Sequence, residues 1–301
     1  MIETIDLVKE YHGNKAVNNA CIKIEDGNIY GFIGKNGAGK TTFIRMIAGL
    51  IFPSSGEIII NGKKDLDSLA EQRKKMSFIV ETPYYEPSMT AYENMELQRL
   101  SRGISSHKNS SQKWLDFVGL ADTGKKKAGN FSLGMRQRLG IAMAMISEPD
   151  ILFLDEPING LDPIGIIQMR DLIKNMNKEF GTTIVISSHI LPELYQVATK
   201  YIFIDNGNII GQFSKKQLDD DCKSYIELEI NDVKKSINIL QGLLGYTDVR
   251  ADNEKKLIRV YDELADTSQL AYHLVNNGIS LYKLNKTSLT LEEFFISKVN
   301  G

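Results

Sequence analysis

Short β-branched runs alternate with amphipathic stretches over the first two-thirds of the chain, a rhythm that predicts an α/β domain. Ile29–Ile33, Ile151–Leu154 and Thr183–Ser187 each read as a buried strand that ends at polar or glycine residues. Between Thr90 and Met145 the pattern turns mostly helical, which predicts a helical subdomain over about residues 84–148. The pattern changes again at Asp219-Asp220-Asp221, a solvated charge run that reads as the end of the first unit or a linker. Residues 1–218 are therefore expected to form one domain and 219–301 a small accessory one. In the second, Ile226, Leu228 and Ile230 alternate as in a strand, and Val233, Ile237, Leu240 and Leu244 recur at helical spacing. Leu257–Tyr261 and Ile279–Leu284 predict two more strands, and Thr290 with Glu293 predicts a capping box that opens a last helix.

Composition narrows the classes. The chain has 301 residues, 42% hydrophobic and 25% charged, enough for one large domain and a small one. Its formal net charge of -2 offers no basic field for nucleic acid, and Lys125-Lys126-Lys127 has no interleaved aromatics. Nucleic acid is not an expected partner. Cys21 and Cys222 lack metal-ligand spacing and read as reduced thiols. The acidic start MIETIDLVKEYHG does not read as a signal peptide, and every apolar run is too short to cross a bilayer.

The first candidate chemistry lies in Gly34-Lys35-Asn36-Gly37-Ala38-Gly39-Lys40-Thr41, which fits G-x-x-x-x-G-K-[ST] between a strand and a helical stretch at Thr42–Ala48. Glycines let the backbone wrap phosphates without Cβ clashes, and the amides with the helix N-terminus supply positive potential. Lys40 is expected to reach the β- and γ-phosphates and the Thr41 hydroxyl to bind Mg²⁺, with Thr42 completing the nucleotide-binding segment. Downstream, the apolar strand at Ile151–Leu154 delivers Asp155 toward the water shell of Mg²⁺, and Glu156 follows as a general base for the attacking water.

Phosphate loops occur in many enzymes, so the class must come from elsewhere. Phe131-Ser132-Leu133-Gly134-Met135-Arg136-Gln137-Arg138 resembles the signature of ATP-binding cassette (ABC) proteins, although Leu133 replaces a usual glycine and Met135 a usual glutamine. The resemblance implies that Ser132, a good N-cap, and Gly134 meet the γ-phosphate of ATP held by the opposite subunit. It also implies that Tyr11 stacks on adenine, that Asn159-Gly160-Leu161-Asp162 meets the partner ATPase and that His189 is the switch histidine at the γ-phosphate. These motifs run in order from Tyr11 to His189.

One departure is specific. Phe78-Ile79-Val80-Glu81-Thr82-Pro83 carries Glu81 where most family members carry glutamine. A carboxylate remains an oxygen ligand for hydrated Mg²⁺, but its charge must be offset. Glu81, with Thr-Pro-Tyr-Tyr-Glu-Pro after it and Thr90-Ala91-Tyr92-Glu93-Asn94 beyond, resembles the ATPases of lantibiotic-immunity and bacitracin-resistance exporters.

The expected fold is an α/β P-loop NTPase core of the ABC ATPase type with a helical subdomain, plus a small C-terminal α/β domain. The resemblance implies an ATPase that binds ATP and Mg²⁺, pairs with a second ATPase subunit and powers a permease on a separate chain. It would then sit at the cytoplasmic face of the membrane. One subunit would supply Lys40, Asp155, Glu156 and His189, and the other Ser132 and Gly134. Three alternatives stand beside peptide-antibiotic export: an exporter ATPase for another substrate, a soluble cassette protein in translation or repair, and a nucleotide-regulated module without turnover. A single cassette without sustained heptads disfavours the second, and the presence of Glu156 and His189 disfavours the third.

Overall fold

In the computed structural model, residues 1–105, 110–222, 224–262, 265–288 and 290–300 are described. The chain divides into two compact units, Met1–Lys215 and Lys216–Gly301. The division falls three residues before the expected boundary. The acidic run read as an end or linker is helical, closing a helix over Lys215–Asp221 whose Leu218 is fully buried.

The strands of the first unit are β1 (Ile2–Tyr11), β2 (Asn14–Ile24), β3 (Ile29–Ile33), β4 (Ser55–Ile60), β5 (Met76–Ile79), β6 (Ile151–Asp155), β7 (Thr183–Ser188), β8 (Lys200–Asp205) and β9 (Asn208–Ser214). They form one nine-stranded sheet in the order β4-β1-β2-β9-β8-β3-β7-β6-β5. β8, β3, β7, β6 and β5 run parallel to one another, and every residue of β3, β6 and β7 is buried. Strands covered on both faces read as unbroken apolar runs, which is why these were visible in the sequence.

Helices α1 (Lys40–Ile47), α2 (Leu66–Arg73), α3 (Ala91–Ser101), α4 (Ser110–Phe117), α5 (Leu133–Met145), α6 (Pro163–Phe180) and α7 (Leu191–Tyr195) complete the unit. Phe43 of α1 packs edge-on against Phe32 of β3 with centroids 5.3 Å apart, and Phe78 stacks on Phe153 at 5.0 Å. α1 begins two residues earlier than expected, because Gly39 takes a left-handed conformation (φ 109°) as its N-cap.

The inserted helices are α3, α4 and α5. Thr90 and Glu93 form a capping box at the start of α3. α5 is fastened to the sheet by Ser77, whose hydroxyl donates to the Ala144 carbonyl at 2.8 Å. Gly140 of α5 lies against Pro83, so closely that a Cβ there would come within 2.3 Å of the proline. The loop after β5 is thereby seated on α5.

The second unit begins with helix α8 (Lys215–Asp221), whose first residue belongs to the first unit. It contains β10 (Ser224–Ile230), α9 (Val233–Asn238), β11 (Val249–Asp252), β12 (Leu257–Val260), α10 (Thr267–Asn276), β13 (Leu281–Ser288) and α11 (Leu291–Asn300). Its sheet is antiparallel in the order β11-β12-β10-β13, the split β-α-β-β-α-β arrangement. Ile226, Leu228, Ile230, Ile258 and Val260 meet Leu240, Leu270 and Leu274 in its core. Thr290 and Glu293 cap α11 reciprocally, at 2.8 Å and 3.2 Å. Among the described residues, no helix is long and apolar enough to cross a membrane.

Candidate active site

Parallel strands deliver their carboxyl ends to one edge of a sheet, where ligands of open α/β sheets bind. Here β3, β7, β6 and β5 are successive neighbours. Gly34–Gly39 follows β3, His189 follows β7, Asp155 closes β6 with Glu156 directly after it, and Glu81 comes shortly after β5.

The loop after β3 is built around its glycines. A Cβ on Gly34 would lie 2.4 Å from the Ile204 carbonyl oxygen, and one on Gly39 would lie 2.3 Å from that of Ala16. The Gly34 amide donates to the Ser188 carbonyl at 3.4 Å, and the Gly207 amide to that of Ala38 at 2.9 Å. α1 has no side-chain cap and no acidic residue in its first turn. The first amides of a helix lack intrahelical partners, so this end favours an anion.

Lys40 is buried, and its ammonium donates to the carbonyls of Gly34 at 2.7 Å and Lys35 at 3.2 Å. It also lies 3.4 Å from Glu156 Oε1. Thr41 Oγ1 donates to Asp155 Oδ2 at 2.8 Å. The other oxygen of Asp155 accepts from the Ser187 hydroxyl. His189 Nδ1 lies 3.0 Å from Glu156 Oε2. A carboxylate only accepts, so Nδ1 carries the hydrogen of this bond and Nε2 is left for another partner.

Glu156 sits at φ 52°, a left-handed conformation unfavourable for a residue with a Cβ. Its amide donates to both the carbonyl and the hydroxyl of Ser187, at 3.2 Å and 3.0 Å. With its carboxylate held between Lys40 and His189, the residue is fixed from both ends. Ser187 therefore holds Asp155 and Glu156 together, a task its sequence position did not reveal. The available signal was two serines following the apolar run Ile184–Ile186 directly before His189.

A carboxylate so fixed can accept a proton from water at a phosphate-binding loop. Among the described residues, no cluster of three or more His, Cys, Asp or Glu side chains is arranged to hold a metal alone. The Thr41–Asp155 pair instead fits Mg²⁺ that arrives with phosphate ligands, the ordinary mode for this ion.

Glu81 is placed differently. It pairs with Arg45 of α1 and, among the described residues, has no hydrogen bond to Thr41 or Asp155. Its φ is 65°. The loop beyond it is closed by buried Asn94, which accepts from the Glu86 amide at 2.7 Å. Asn94 also donates to the carbonyls of Glu86 and Thr90, at 3.0 Å and 2.9 Å.

Ser132 caps α5 by accepting from the Met135 amide at 3.3 Å, and Gly134 lies in the first turn. Neither shares a hydrogen bond or ion pair with the phosphate loop among the described residues. Gly134 faces the Asn159–Asp162 loop, where a Cβ on it would lie 3.6 Å from Leu161 Cδ2. Asp162 caps α6 through the Gly165 amide at 2.8 Å. Tyr11 ends β1, half exposed, with the Lys9 ammonium 5.0 Å from its ring centre.

Comparison with known proteins adds an independent line. The ABC transporter family profile matches residues 17–159. The bacitracin transport ATP-binding protein BcrA of Bacillus licheniformis is 40% identical over 301 residues, covering 100% of this chain and 98% of that protein. The lantibiotic transport ATP-binding protein SrtF of Streptococcus pyogenes is 42% identical over 210 residues, 70% of this chain and 89% of SrtF. Among solved structures, the dimeric ATP-binding cassette MJ0796 in a post-hydrolysis state with ADP and Pi superposes with a TM-score of 0.64. It shares 25% identity and covers 71% of this chain and 99% of its own. With relatives of this identity along its whole length and a cassette fold, the chain belongs to the ABC transporter family as an ATP-hydrolysing, ATP-binding subunit.

Proposed function

We propose that this chain powers export of a peptide antibiotic of the bacitracin or lantibiotic class through a permease on a separate polypeptide, and so protects its host. The observation that carries this is the 40% identity to a bacitracin transport ATP-binding protein across both units, the C-terminal one included. Glu81 in place of glutamine and its Arg45 partner support it. The loop after Glu81 presents Tyr84, which is 82% exposed, a surface suited to an apolar partner segment. A place at the cytoplasmic face, peripheral to the membrane, follows from that partner.

The chemistry rests on the site described above. Amides of Gly34–Gly39 and the Lys40 ammonium bind the phosphates of ATP, and Tyr11 receives the adenine ring. Thr41 and Asp155 are the residues that would hold Mg²⁺, whose charge would neutralise the phosphoryl oxygens, with Glu81, here paired with Arg45, as the further oxygen ligand that the resemblance implies. Glu156 takes the proton of the attacking water, and His189 keeps its carboxylate oriented. Ser132 and Gly134 of a second subunit close the site over the γ-phosphate, so turnover needs two chains. ATP favours the closed pair and hydrolysis releases it, which gives the permease two states to follow.

The test is genetic. Cells lacking the gene are challenged with bacitracin and with lantibiotics, and rescue by the wild-type gene is scored. Increased sensitivity to at least one such peptide, reversed by the wild-type gene, is expected. Unchanged sensitivity to all of them would remove the substrate class and leave the ATPase assignment standing.

A further inference from the structure

Leu133 stands where the resembled signature has glycine, and the fold gives it a specific neighbour. Gly160, in the loop between β6 and α6, has φ 75°, and a Cβ on it would lie 3.2 Å from Leu133 Cδ2. The contact is reciprocated one residue along: a Cβ on Gly134 would lie 3.6 Å from Leu161 Cδ2. Each loop thus rests a leucine on the other loop's glycine.

Both loops are anchored on their far sides. Ser132 caps α5, Arg136 donates to the Phe131 carbonyl at 2.6 Å, and Asp162 caps α6. The second loop is also continuous with the acidic strand end. The Asn159 amide donates to the Glu156 carbonyl at 3.1 Å, and the Leu161 amide to that of Ile158 at 3.3 Å. Leu133 is thus connected through Gly160 and one turn of backbone to Glu156.

We propose that Leu133 is a positioning residue, which ties the Ser132 loop to the turn carrying this chain's own Glu156. Filling the partner's site then sets the carboxylate of this one. The interlock has this consequence only if Ser132 faces a partner's nucleotide, as proposed above. A glycine at position 133 removes the Leu133–Gly160 contact and leaves only Leu161 against Gly134 to hold the two loops together.

Leu133→Gly, made in the full chain, tests this. MgATP affinity of the single subunit should stay within about twofold, which also verifies folding. ATP-driven pairing, read in a Glu156→Gln background, should persist. Turnover should fall roughly tenfold in kcat with KM little changed, the size expected for a lost coupling contact. The Hill coefficient for ATP should move toward unity. Leu133→Met, which restores apolar volume, should recover most of the loss. Wild-type kcat and cooperativity in Leu133→Gly, or a loss that Leu133→Met leaves unrepaired, would overturn the positioning role. Ser132→Arg separates the two ideas: unimpaired turnover there would refute the partner-facing site itself, whatever Leu133 does.

Discussion

Arg45 and Glu81 form an ion pair that ties helix α1, which opens at the phosphate loop, to the loop following β5. The extra negative charge that distinguishes this chain from the glutamine pattern is thereby offset by a side chain one turn down the nucleotide-binding helix. Both partners are well exposed, at 39% and 63%, so the pair contributes about 0–1 kcal/mol to stability. Its effect lies in where the loop is held. Glu81→Gln should leave thermal stability and MgATP affinity near wild type and retain ATPase activity, while altering the resistance that the transporter confers. Stability and affinity are read on the purified protein, and resistance on the rescued deletion strain. Loss of MgATP binding in Glu81→Gln would contradict this division.

Lys40 is held more tightly. Lys40→Ala removes the buried cation shared by the Gly34 and Lys35 carbonyls and Glu156. Nucleotide affinity should fall by at least about tenfold, since a charged hydrogen-bond partner of the phosphates is lost. The protein should also lose about 1–3 kcal/mol of stability, because the buried Gly34 carbonyl loses its Lys40 donor. Fluorescent-nucleotide titration and denaturant unfolding of one preparation measure both.

The C-terminal unit carries a pH dependence of its own. Lys283 and Arg259 bond to Glu227, with the Lys283 hydrogen bond the larger cause, and hold its carboxyl below the ordinary carboxylate range. A carboxyl whose pKa is lower in the folded state stabilises the fold above its unfolded pKa and loses that contribution as pH falls through the folded value. Wild type should therefore exceed Glu227→Gln by about 1 kcal/mol at neutral pH, and the gap should close in acid below the carboxylate range. Amide-exchange protection of β10 and β12, corrected for intrinsic rates, measures it. A gap independent of pH would refute the assignment.

What the sequence disclosed and what it hid follow one physical line. The strand–loop–helix around Gly34–Thr41 was legible because glycine spacing and buried apolar runs are local signals. Ser187 was not, because its work depends on the register that sets it opposite Asp155 across two strands far apart in the chain. Arg45 was equally hidden, since its partner Glu81 is thirty-six residues away in another loop. β11 went unread because Val-Arg-Ala-Asp at a sheet edge lacks an apolar alternation, and pairing with β12 alone makes it a strand.

The most direct measurement concerns Glu156 and the pairing of two chains over ATP. Glu156→Gln keeps the side-chain shape but removes the charge and proton acceptor, so turnover should fall by roughly 10²–10⁴. With hydrolysis blocked, sedimentation at saturating MgATP should show a particle of two chains, and without nucleotide a single chain. Near-normal hydrolysis in this variant, or a single chain at saturating MgATP, would contradict a mechanism in which Glu156 activates water inside a two-subunit ATP site.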